Sequence, residues 1–230
     1  MFHVGGGLEV LNESDRAAPL GVFVSPGAVG LYLGTAGGPL LLRCGWAMPL
    51  LLILTGVGLL IGKDALASSN APLSVSLPKG DRLPLVCLFL VVGLRSMLGG
   101  GAFSPELPDL PGLVPVLCLA LGKAAGGFLG DRLGLRRTAA LSLGAAAALL
   151  FLPRGYVTLL SLFLFNMTMP LTLHALWRRF PAYPGSVFGS LTLALFVGFL
   201  PTYFGINIPI GGVLGSILSL VLLWKAVGDD

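Results

Sequence analysis

The chain has 230 residues, 55% of them hydrophobic and only 10% charged, with a formal net charge of +4 and a mean hydropathy of +0.94. A soluble domain carries about 25% charged residues, so a soluble enzyme, a nucleic-acid-binding domain and a disordered tail are excluded. The 34 glycines and 17 prolines lie within apolar runs and show no Gly-X-Y period, which also excludes collagen and a flexible linker. An all-α, polytopic membrane bundle remains.

Residues 1–19 hold no basic stretch followed by an apolar run, so no cleaved signal peptide is expected. Eight apolar segments follow, at 20–42, 46–62, 84–103, 112–130, 138–153, 156–176, 186–204 and 211–227. A spanning helix needs roughly 20 apolar residues, so about eight spans are expected. The connections are short and several carry proline. The exception is 63–83, which holds Lys63, Asp64, Lys79, Asp81 and Arg82 and is long enough to join two bundles.

In the first segment Gly30, Gly34 and Gly38 recur every four residues, and in the fourth Gly122, Gly126 and Gly130 do the same. Small residues at that spacing share one helix face and let a neighbouring backbone approach closely. Pro26, Pro49, Pro170 and Pro201 lie inside apolar segments, where freed carbonyls kink a helix or line a cavity. Cys44, Cys87 and Cys118 are far apart in or beside apolar runs, and read as small packing residues rather than disulfide partners or metal ligands.

If residues 1–19 are cytoplasmic, that side receives ten cations: Arg16, Lys63, Lys79, Arg82, Arg132, Arg136, Arg137, Arg178, Arg179 and Lys225. The other side receives only Arg43 and Arg154. Such an asymmetry sets orientation in an inner membrane, and both termini are expected in the cytoplasm. The cations therefore mark topology, and no nucleic-acid partner is expected.

Two cations fall within segments. Arg95 lies near the middle of 84–103, and Lys123 lies eight residues before Asp131 in 112–130. A cation at mid-bilayer costs ~2.5–3.5 kcal/mol on insertion scales and points to a functional site. No acidic residue lies deep in any segment to pair with them. Two readings stand: the pair faces a cavity and attracts an anionic substrate, or Arg95 bonds carbonyls freed near Gly99, Gly100 and Gly101 while Lys123 packs locally. Asn166, Thr168 and Thr172 form the polar face of 156–176, suited to substrate or to a neighbouring helix. His174, one turn before Arg178, is expected at the interface.

The stretch Gly127-Phe128-Leu129-Gly130-Asp131-Arg132-Leu133-Gly134-Leu135-Arg136-Arg137 joins two segments on the side assigned as cytoplasmic. Asp131 stands where a helix ends, Gly134 permits a tight reversal, and three arginines surround the carboxylate. A carboxylate so placed is ionised and paired, and such a pair can latch one helix to the next. The loop resembles the signature of the major facilitator superfamily, Gly-x-x-x-Asp-Arg-x-Gly-x-[Arg/Lys]-[Arg/Lys], with Gly127, Asp131, Arg132, Gly134, Arg136 and Arg137 in its positions.

That resemblance implies secondary transport by alternating access, with the loop as a cytoplasmic gate. It divides the chain into a cytoplasmic segment 1–19, a two-span partial first half over 20–62, a linker 63–83 and a six-span second half over 84–230. The chain then looks like helices five to twelve of a twelve-helix carrier. A second chain, or four preceding helices, would complete the cavity, and the start Phe2-His3-Val4-Gly5-Gly6-Gly7 looks like the tail of a missing helix. The expected partners are a small solute, with an anion as one candidate class, and the lipid bilayer. No nucleotide cradle and no catalytic His-Glu-x-x-His pattern occurs, so neither cofactor nor enzyme activity is expected. The rival reading is a non-transporting membrane scaffold or assembly subunit that keeps the helix packing.

Overall fold

Backbone in lipid must satisfy its polar groups within its own segment, which selects helices. The computed structural model describes residues 7, 10, 13–43, 45–46, 49–50, 52–54, 56–57, 82–101, 111–152, 155–181, 184–206 and 211–227, and no strand occurs among them. Most of the segment 46–62 and the linker 63–81 lie outside the described residues, as do Cys44, Pro105, Pro108, Pro153 and Arg154.

The elements are α1 (Ala17–Val24), α2 (Pro26–Arg43), α3 (Arg82–Gly101), α4 (Leu113–Leu133), α5 (Leu135–Leu149), α6 (Tyr156–Asn166), α7 (Thr168–Arg179), α8 (Pro184–Tyr203) and α9 (Gly212–Ala226). Three stretches, Ala17–Gly38, Leu113–Leu133 and Tyr156–Arg179, are long and apolar enough to cross a membrane. Phe188–Tyr203 and Gly212–Ala226 are shorter apolar helices. The chain is a helical membrane protein.

Two expected segments are each broken once, for a reason visible in the chain. Between α1 and α2, the Ser25 hydroxyl donates to the Gly21 carbonyl at 2.6 Å, and Pro26 then opens the next helix, a position where its missing N–H does no harm. Between α6 and α7 the turn falls at Met167, just ahead of Pro170. Proline cannot donate to the carbonyl four residues back, so the Asn166 carbonyl loses its helical partner.

The broken span α6–α7 is the centre of the bundle. In Tyr156–Arg179, 78% of the apolar window is buried, against 28% in each of the other two candidate spans. α7 touches α1, α3, α4, α5 and α8, and its Leu171, Leu173 and Leu176 join Phe165, Leu88 and Val91 in the core. Glycine sets the closest approaches. A Cβ on Gly122 would strike the Phe163 carbonyl, one on Gly126 the Met167 carbonyl, and one on Gly198 the Gly93 carbonyl. The first two seat α4 on α6 and the break; the third seats α8 on α3.

The two glycine ladders differ. Gly122, Gly126 and Gly130 are all packed, the last against Leu171. Gly30, Gly34 and Gly38 meet nothing within 4 Å, so the close approach expected on that face is not made by any described residue. Cys87 and Cys118 are free thiols, the first buried.

Candidate functional site

The loop that follows α4 is built from the spacing of its residues. Gly127 and Asp131 are four apart and therefore share one face of α4. A Cβ on Gly127 would come within 2.5 Å of the Ala17 carbonyl, so only glycine lets the start of α1 lie this close. On the other side of the contact, Gly21 of α1 faces the Lys123 carbonyl at a distance of 2.7 Å from an added Cβ. The two helices meet backbone to backbone.

That approach brings the α1 N-terminus within reach of Asp131. Its Oδ1 accepts the Ala17 N–H at 2.6 Å and its Oδ2 accepts the Ala18 N–H at 3.0 Å. The first amides of a helix have no partner inside it and carry partial positive charge. Arg16, at the cap position, makes no capping bond, and a guanidinium has no acceptor to offer. The acceptor comes instead from a residue 114 positions away. His174 of α7 adds a second tie, because its Nε2–H donates to the Asp15 carbonyl at 2.9 Å. His174 is 6% exposed, packed between α7 and the start of α1.

Gly134 adopts φ 85° between α4 and α5, a left-handed conformation that favours glycine, and its N–H donates to the Gly130 carbonyl at 3.0 Å. The Thr138 hydroxyl donates to the Leu129 carbonyl at 3.0 Å and braces the same turn. The three arginines then diverge. Arg132 is exposed and shares with Asp131, Asp15 and Arg16 an open pocket of about 1000 Å³ that is walled by Val22 and Phe128. Arg136 lies over the Trp224 ring at 3.8 Å from its centroid, a cation–π contact that ties α5 to α9. Arg137 is exposed. The contacts that hold Asp131 here are therefore backbone amides, which no reading of side chains would reveal.

Arg95 is 5% exposed and lines a small cavity between α3, α7 and α8. Both of its terminal nitrogens, Nη1 and Nη2, are buried without a hydrogen-bond partner. Lys123 is half-buried and near enough to Arg95 for their charges to interact. Asn166 is buried but does not line the Arg95 cavity; its amide donates to the Leu162 carbonyl at 2.8 Å within its own helix. Thr168 and Thr172 likewise donate to the Phe165 and Met169 carbonyls.

No family model, curated protein or solved structure matches the chain. Among the described residues no cluster of three His, Cys, Asp or Glu could hold a metal ion.

Proposed function

We propose that the protein is a secondary active transporter working by alternating access, similar to the major facilitator superfamily, for a small and in particular an anionic solute. It sits in the inner membrane with about eight spans and both termini in the cytoplasm, and the six spans of 84–230 form one complete half. The observation that carries this reading is the bond from Asp131 to the first two amides of α1. It ties the two-span part of the chain to the six-span part through a carboxylate, at the end of the bundle where Arg16, Arg132, Arg136 and Arg137 gather.

A latch of this kind suits a moving joint. It holds when α1 and α4 are together, because a full charge meets the positive end of a helix. It releases without unfolding either helix, since each keeps its internal bonds. Gly21 and Gly127 give the two backbones smooth faces at the joint, and Arg132 on the pocket rim supplies a cation for the carboxylate once α1 leaves. Arg95 and Lys123 provide the positive field that an anion would seek, and Asn166 lies one helix over. Further helices, from a second chain or from preceding sequence, would complete the cavity, and the glycine face of α2, on which no described residue sits, is a suitable seat for them. No bound cofactor and no enzymatic step belongs to this reading.

One observation favours the rival. The cavity at Arg95 has a volume of only about 20 Å³, far too small for an organic solute, as a non-transporting scaffold subunit would have. Uptake into proteoliposomes discriminates the two, using radiolabelled phosphate, sulfate and small carboxylates. A transporter accumulates at least one of these and loses most of that uptake on Asp131→Asn in a folded variant. A scaffold accumulates none.

A further inference from the structure

A guanidinium inside a bundle must find its counter-charge there, because an uncompensated buried ion is strongly destabilising. Arg95 has none among the described residues. It is 5% exposed, its Nη1 and Nη2 have no partner, and no Asp or Glu occurs in α3, α7 or α8 around it. Lys123 adds a second positive charge within range. The two hydroxyls beside the cavity donate their protons elsewhere, Thr172 to the Met169 carbonyl and Thr192 to the Phe188 carbonyl at 2.8 and 2.9 Å; neither oxygen accepts from Nη1 or Nη2, and a neutral hydroxyl supplies no counter-charge.

We infer that Arg95 holds a single small monovalent anion of halide size, chloride or bromide, in the cavity between α3, α7 and α8. The volume sets the upper limit. About 20 Å³ is enough for one particle the size of a water molecule, and not for a carboxylic acid or a phosphate ester. The lining sets the charge. Leu173, Phe188 and Leu191 offer no donors, so a strongly hydrated divalent oxyanion could not replace its water shell here. A monovalent halide needs fewer donors, and the four N–H bonds on Nη1 and Nη2 can supply them. Access is through α8, where Thr192 both lines the cavity and is exposed.

We build this on the proposed reading of Arg95 as an anion-binding residue, and it does not depend on transport. The ion is a resident one that neutralises the bundle, distinct from whatever solute crosses it.

The test is thermal unfolding of the full chain in detergent, at constant ionic strength, with sodium gluconate replaced stepwise by chloride, bromide, sulfate or phosphate. The expected result is a saturable rise in Tm with chloride and bromide alone, of roughly 3–6 °C at ten times the dissociation constant. Arg95→Gln should abolish the halide response. Arg95→Lys, which keeps the charge, should retain it in weakened form and covers the case in which the glutamine variant does not fold. Crystals grown in bromide should carry an anomalous peak beside Nη1 and Nη2. A Tm that is indifferent to halide in the wild type overturns the site, and so does a rise seen only with sulfate or phosphate, or one that survives unchanged in Arg95→Gln. A halide response in a protein that accumulates no solute would refute transport and leave the site standing.

Discussion

Two glycine ladders with identical spacing meet opposite surroundings. On α4, Gly122, Gly126 and Gly130 are pressed against Phe163, Met167 and Leu171. On α2, Gly30, Gly34 and Gly38 have open space around them, with Leu31 and Leu33 exposed beside them at 72% and 60%. The spacing makes a smooth helix face in both cases; only the neighbour differs. Packing has been completed around α4 and α7, whereas α2 presents a surface of the same design with no described residue upon it. Small-residue periodicity therefore reports a capacity for close contact, and the contact itself has to be seen.

Three substitutions break or sharpen that contrast. The largest effect is expected for Gly126→Ala, because the new Cβ would run into the backbone carbonyl of Met167, which cannot swing aside as a side chain would. Overpacking of this kind costs about 1–3 kcal/mol, and the better helix propensity of alanine returns at most about 1 kcal/mol. Thermal unfolding in detergent should show a clear fall in Tm. An unaltered Tm would mean that α4 does not sit on the α6–α7 break as described.

Next comes Asp131→Asn. The amide keeps one acceptor oxygen but loses the charge and the second acceptor, so the tie to Ala17 and Ala18 weakens by about 0.5–1 kcal/mol. Hydrogen exchange should then accelerate at the amides of Ala17 and Ala18 and leave those of α7 unchanged. Equal exchange in both proteins would show that the carboxylate does not cap α1.

The smallest effect is expected for Gly34→Ala. With nothing within 4 Å, the substitution should leave Tm unchanged or raise it slightly, by no more than about 1 kcal/mol of helix propensity. A marked loss of stability in lipid, absent in detergent, would reveal a partner seated on the α2 ladder.

What could be read from the sequence follows from how each feature is encoded. The turn at Gly134 was legible because a reversal beside a helix end demands an unusual φ, and glycine supplies it at 85°. The membrane character and the helical class were legible from apolar runs, although only three stretches meet the length and apolarity of a span among the described residues. Pro26 and Pro170 marked where segments would bend, and the chain breaks beside each. The partner of Asp131 was not legible, since the amides of Ala17 and Ala18 belong to the backbone and have no letter of their own. The burial of His174 and its bond to the Asp15 carbonyl were not legible, since that partner too is a backbone group far away in the chain. The isolation of Arg95 was half legible: the lack of an acid in its segment could be counted, but the two unpartnered nitrogens in a small cavity could not.

The claim on which the account turns is that the contact between Asp131 and α1 opens and closes. Spin labels on Arg16→Cys and Arg132→Cys, both exposed positions, report the separation of α1 from the end of α4 by double electron–electron resonance, with Cys44, Cys87 and Cys118 replaced by serine. The account predicts two distance populations in lipid, the longer one gaining when Asp131→Asn is added. A single short distance that the substitution leaves unchanged would contradict it, and Asp131 would then be a static cap.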